Sequence, residues 1–122
     1  MTATTQSKPT YKRGDVVLVL FPHSDLRTAK PRPALVVQAD NLQTGLPQVL
    51  VAMITSNIQR AGHQSRVLFK LATPEGRRSG LLSESIVMTD NLATIAEVAI
   101  DRVIGILPMD EVNKALRHTL QL

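Results

Sequence analysis

Arg32 stands between Pro31 and Pro33 in the run Lys30-Pro31-Arg32-Pro33-Ala34-Leu35-Val36-Val37. Proline fixes its own φ and drives the residue before it toward extended backbone, so this arginine has few conformations to lose when it meets an anion. A guanidinium presented in this way suits a phosphate, which it can grip with paired donors. Taken alone, the same side chain also reads as a surface arginine at a turn. A second polar cluster, Thr55-Ser56-Asn57, ends the apolar run Val49-Leu50-Val51-Ala52-Met53-Ile54 and places two hydroxyls and an amide at a strand end. Thr55 alone reads equally well as an ordinary residue of good β propensity. If the strands pair, the two clusters share one mouth.

The elements that must position these groups are mostly strands. Val16 to Phe21 is almost uninterruptedly apolar, as are residues 34–37 and 49–54, so the strands are expected to be covered on both faces. Strands are expected at about 15–21, 33–39, 48–55, 65–71 and 84–90, with a short one at 93–96. Thr73 to Gly80 reads as a longer turn, and Ile100 to Ile104 as one helical turn ending at Gly105. The last segment is helical: Pro108 at its entry, Asp110 and Glu111 in the first turn, Lys114, Arg117 and His118 further on, all matching the helix dipole. Val112, Ala115, Leu116, Thr119 and Leu120 form its apolar stripe. Residues 1–10, polar and without periodicity, read as a disordered tail before a single domain at 11–122.

Composition narrows the function independently. The chain has 122 residues, room for one core and no second catalytic unit. It has no cysteine, which excludes disulfide scaffolds, thiol nucleophiles and cysteine zinc sites. Its His, Asp and Glu residues are scattered singly, without metal-ligand spacing, so no metal or other cofactor is expected. The apolar runs are far shorter than the ~20 residues a membrane span needs, and no charged-then-apolar leader opens the chain, so a cytoplasmic protein is expected. A formal net charge of +4 favours a polyanionic partner. Tyr11, Phe21 and Phe69 are the only aromatic residues, too few for a base-stacking platform, so a nucleic acid would be held through its backbone and by hydrogen bonds.

Five pieces in order carry a resemblance over residues 12 to 120: Arg13-Gly14-Asp15-Val16-Val17-Leu18-Val19 running on to Phe21-Pro22, then Arg32-Pro33-Ala34-Leu35-Val36-Val37, then Ile54-Thr55-Ser56, then Gly80 through Ile95, then a Gly-x-Leu step into the last helix. In this the chain resembles the MazF/PemK-type toxins of bacterial toxin–antitoxin pairs. The resemblance implies an SH3-like β-barrel of the CcdB/PemK type, mainly β with a C-terminal helix. It also implies a homodimer, a cognate antitoxin, and a metal-independent endoribonuclease acting on single-stranded RNA. RNA carries its own nucleophile, the 2′-hydroxyl, so such an enzyme must align that group, stabilise charge on the phosphorane and move protons.

By the resemblance Arg32 and Thr55 are active-site residues, with Ser56 and Asn57 as weaker companions touching RNA. Asp90 matches an acidic position proposed as a base in some members, although an Asp there also reads as a turn residue bonding its own backbone. His23, in Phe21-Pro22-His23-Ser24-Asp25, departs from the family pattern; an imidazole ordinarily titrates near ~6.5 and could serve as acid, base or RNA contact. The chain departs again at Ala93, where many members carry arginine, and at Met88, where some do. Arg27, Lys30, Arg60, Arg77 and Arg78 read as a phosphate-tracking rim or as plain solvated charge. His63 and His118 read as surface residues. The reading from a different class is a non-catalytic SH3-like binding module, such as a CcdB-type gyrase inhibitor or an inactive antitoxin-binding relative.

Overall fold

The computed structural model describes residues 10–22 and 29–122. The expected tail, apart from Thr10, and the segment holding His23 and Arg27 lie outside the described residues. Six strands follow in order: β1 (Asp15–Pro22), β2 (Ala29–Val36), β3 (Gln48–Thr55), β4 (Arg66–Phe69), β5 (Ser85–Ala96) and β6 (Ile100–Ile106). A short helix α1 (Pro74–Arg78) precedes β5, and a longer one, α2 (Asp110–Leu120), closes the chain. The strands form one antiparallel sheet in the order β4-β5-β3-β2-β1-β6. The outer strands β4 and β6 do not pair, so among the described residues the sheet is open and not a hydrogen-bonded barrel.

Strand alternation sends neighbouring residues into two different cores. Val16, Leu35, Ala52, Ile54 and Val87 pack on one face with Val112 of α2. Val17, Val19, Ala34, Val36, Val49 and Val51 pack on the other with Ile95 and Ile100. Both faces are therefore dry, which is why these strands carry unbroken apolar runs in place of an alternating pattern. Each fully buried valine or leucine contributes about 1.5–3 kcal/mol relative to leaving it exposed. The end of β5 and the start of β6 reach the second face because β5 bends. Met53 faces Met88 while Ala52 faces Leu92, so Thr89, Asp90 and Asn91 have no partner on β3. Extra residues on one strand of this kind kink it and increase its twist.

Three expectations need correction. The residues 100–104 form strand and not a helical turn: β6 pairs with β1, and a 3-10 turn lies just before it at Glu97–Ala99. Here the β-branched Ile100, Val103 and Ile104 and the free edge of β1 outweigh local helix signals. The segments 84–90 and 93–96 belong to one strand, interrupted only by the bulge. The turn after Thr73 contains a helix, started by the Thr73 hydroxyl accepting from the Gly76 N–H at 3.1 Å and by Pro74 in the first turn. The C-terminal helix is found where it was expected, with Val112 and Ala115 buried. Arg13 ties it to the sheet by donating to the Val37 carbonyl at 3.0 Å and the Asn113 side chain at 2.7 Å.

The loop following α1 lies directly on β6. A methyl group at Gly105 would run into the backbone of Arg78 and Ser79, and one at Gly80 into the Ile104 carbonyl. Gly80 also holds φ at +72°, a conformation other residues rarely adopt. That contact carries residues 80–83 across toward β2 and β3.

Candidate active site

Prolines open the sheet where the polar clusters meet. Pro31 and Pro33 lie opposite Leu20 and Leu18 of β1, and a proline within a ladder has no N–H to give on its other side. The β2–β3 ladder accordingly stops at Ala34 and Met53. Continued past that point, the same register places Pro33 opposite Ile54 and Arg32 opposite Thr55. The two strand ends flank a cavity of about 450 Å³, lined by Lys30, Arg32, Thr55 and Ser56 together with residues 80–83, Ser85 and Arg102. Leu18, Pro33, Ile54 and Ile104 supply its apolar lining.

The chemistry of the lining is one-sided. It carries three cations and four hydroxyls, from Thr55, Ser56, Ser83 and Ser85, and no carboxylate among the described residues. The Thr55 hydroxyl accepts from the Asn57 N–H at 3.1 Å and keeps its own proton to donate. Asn57 in turn accepts from the Gln59 N–H at 3.2 Å, so its amide oxygen is engaged in starting the turn at Ile58–Arg60. The Ser85 hydroxyl donates to the Ser83 carbonyl at 3.0 Å. Among the described residues no carboxylate lies within ion-pair distance of Arg32 or Lys30. Cations left unpaired beside hydroxyl donors suit a phosphodiester. A larger cavity of about 720 Å³ beneath residues 38–48 carries Asp40 and Glu97 and no lysine or arginine. Its charge has the wrong sign for phosphate.

The model of the PemK-like, MazF-like toxins of type II toxin–antitoxin systems matches residues 12–121. The chain belongs to this family. Endoribonuclease MazF6 of Mycobacterium tuberculosis is 34% identical over 107 residues, which is 84% of this chain and 90% of that protein. Endoribonuclease EndoA of Bacillus subtilis is 31% identical over 115 residues, covering 91% and 95%. A mycobacterial endoribonuclease solved in complex with its cognate antitoxin shares the fold at TM-score 0.71 and 20% identity, over 93% of this chain and 97% of that one.

Against this toxin family, the expected site residues divide into those the fold gathers and those it does not. Lys30, Arg32, Thr55 and Ser56 share the cavity, with Asn57 and Arg60 on the turn that follows. Asp90 stands apart. Thr55 pairs with Ile86, and Asp90 is four residues further along β5, ~13 Å at the usual rise. There it binds Arg66 through two nitrogens, at 2.8 and 3.4 Å. The hydrogen bond from Arg66 is the main cause holding the Asp90 carboxyl below its usual range, helped by the charges of Arg66 and His63 and opposed by desolvation. The same hydrogen bond raises Arg66. Arg77 donates to the Ala72 carbonyl at 3.2 Å, and Arg78 lines a separate small cavity beside Pro108. Met88 is buried and Ala93 packs against the second core, so both positions are filled by apolar groups that belong to the packing of the sheet. His23 and Arg27 lie outside the described residues.

Arg102, Ser83 and Ser85 are lining residues that no sequence pattern announced. Arg102 sat in a segment read as a helical turn. Only the pairing Arg102↔Leu18↔Pro33 across β6, β1 and β2 brings it to the cavity.

Proposed function

We propose that the protein is a toxin-type endoribonuclease that cuts single-stranded RNA, with the cavity between the ends of β2 and β3 as its active site. The observation that carries this is the meeting of Arg32, Lys30 and Thr55 at one cavity, with no carboxylate in its lining among the described residues, in a chain of the MazF-like family. In the reaction the 2′-oxygen forms a bond to phosphorus as the bond from phosphorus to the 5′-oxygen breaks. The 2′-hydroxyl loses its proton and the leaving 5′-oxygen gains one, giving a 2′,3′-cyclic phosphate and a 5′-hydroxyl. Arg32 neutralises the charge that grows on the phosphorane, and the Thr55 hydroxyl holds a non-bridging oxygen. His23 is the group proposed to move the proton. Asp90, held as a carboxylate by Arg66, is left out of this chemistry.

RNA held by its backbone explains how a protein with so few aromatic residues can act on it. By analogy with the complexed relative, a cognate antitoxin holds the toxin in check. The active form is proposed to be a homodimer acting in the cytoplasm. The sheet, bent at β5 and carrying a core on each face, is read as an open variant of the SH3-like barrel, within a single domain. No helix among the described residues is long and apolar enough to cross a membrane.

The decisive experiment uses purified protein and a mixed-sequence RNA transcript. Cleavage is expected to persist in excess EDTA, to leave 2′,3′-cyclic phosphate ends, and to stop when every 2′-oxygen is methylated. Cutting of the methylated RNA would overturn the proposal, because it demands a nucleophile other than the 2′-hydroxyl, and an absolute requirement for Mg²⁺ would overturn it by giving a metal the charge stabilisation assigned to Arg32.

A further inference from the structure

Arg102 has no part in the reaction as proposed, yet it lines the same cavity as Arg32. It lies opposite Leu18, which lies opposite Pro33, so the three stand in one row across β6, β1 and β2. Residues directly opposite in an antiparallel sheet share a face. Arg102 therefore rises from the face lined by Leu18 and Pro33. Arg32, opposite Val19 in the adjacent row, belongs to the other alternation. The two guanidiniums thus border one cavity from different directions, with β1 between their strands.

Strands in a sheet are ~4.8 Å apart, so the backbones of β2 and β6 stand roughly 10 Å from each other across β1. That separation suits two positions along a nucleic-acid backbone better than two grips on one phosphate. The side chain of Arg102 is 68% exposed, and its ion pair with the neighbouring Asp101 is long at 3.4 Å. An exposed pair of this kind holds a guanidinium only weakly. Leu82, 94% exposed, also lines the cavity and offers an apolar surface for a sugar or base.

We infer that Arg102 is a positioning residue that holds a phosphate next to the scissile one, so that the RNA backbone crosses β1 from β2 toward β6. This rests on the RNA-cleaving reading of the same cavity. Arg102 acts on the reaction through the placement of the strand and not at the breaking bond.

The test measures binding of a randomised, fully 2′-O-methylated single-stranded RNA pool over a range of salt concentrations, for the wild type, Arg102→Ala and Arg102→Lys. Each neutralised phosphate on a single strand adds about 0.7 to the slope of log affinity against log salt. Arg102→Ala is expected to lower that slope by about 0.7 and to weaken binding roughly three- to tenfold at low salt, and Arg102→Lys to restore the slope. On cleavable RNA the alanine variant is expected to raise KM with kcat within about threefold of wild type. An unchanged salt slope in Arg102→Ala, with the wild type binding RNA normally, would overturn the inference and leave the endoribonuclease reading standing. A loss of kcat that lysine does not rescue would also overturn it. Failure of the wild type to bind or cut RNA would remove both.

Discussion

At the open end of β2 and β3, Arg32, Lys30 and Arg102 border a cavity whose lining among the described residues holds no carboxylate. At the bulge in β5, Arg66 and Asp90 neutralise one another at 2.8 Å. Both regions are polar corners of the same sheet, and both contain residues that the family resemblance singles out. The difference lies in where the balancing charge comes from. The Arg66–Asp90 corner is complete within the chain, and its hydrogen bonds fix the edge strand β4 to β5 where β3 no longer pairs. Among the described residues no carboxylate balances the cavity. Its cations and hydroxyls are oriented by prolines, a strand end and a loop seated on β6, an arrangement that suits an anion from outside. Preorganised donors of this kind stabilise developing charge without having to rearrange when it appears.

The sharpest way to break the comparison is to remove the groups that await the anion. Arg32→Ala and Thr55→Ala are each expected to lower kcat/KM for RNA cleavage by about 10²-fold or more, with an unchanged melting temperature. Arg32 is exposed and Thr55 lies at a strand end, so neither truncation opens the core. Wild-type cleavage by either variant, measured on purified protein, would show that the gathered residues are not the reacting ones. A smaller effect follows from giving the cavity the carboxylate it lacks. Ser83→Asp places an acid on the exposed rim and is expected to cost on the order of tenfold in kcat/KM, because it repels phosphate and offsets one cation. Ser83→Asn, of the same shape without the charge, is expected to stay near wild type.

The two regions were also unequally legible from sequence. Arg32 and Thr55 could be found because each is announced locally, one by flanking prolines and the other by the end of an apolar run. The apolar runs themselves foretold strands covered on both faces, which the two cores bear out. Arg102 could not be found, since its place depends on the register between β6 and β1, a pairing of residues far apart in sequence. The strand at Ile100–Ile106 was lost for the same reason: a short segment with β-branched residues and a nearby acidic turn takes its structure from the edge it meets. Asp90 shows the opposite case. Its sequence position suggested chemistry, but the bulge and its engagement with Arg66 are tertiary facts that only the fold reveals.

Asp90→Asn should show the smallest effect on cleavage and a distinct one on stability. If the Arg66 pair is structural, cleavage by the variant stays within about threefold of wild type. Stability is expected to respond to acid in a defined direction. The hydrogen bond from Arg66 lowers the folded-state pKa of Asp90 below the ordinary carboxyl value, ~3.9 for an unfolded aspartate. A depressed carboxyl contributes stability that is fully present above the unfolded value and is lost as pH falls through the folded one. The melting temperature of the wild type should therefore exceed that of Asp90→Asn at neutral pH. The gap should narrow below pH ~4 and close once the wild-type carboxyl is protonated. Salt should narrow it too, because the pair is partly open to solvent, with side-chain exposures of 25% and 35%. Thermal melts of both proteins from neutral pH downward measure this directly. If the variant instead lost cleavage a hundredfold while its melting curve matched wild type at every pH, Asp90 would belong with the reacting groups. The charge balance at the Arg66 corner would then no longer separate structure from function.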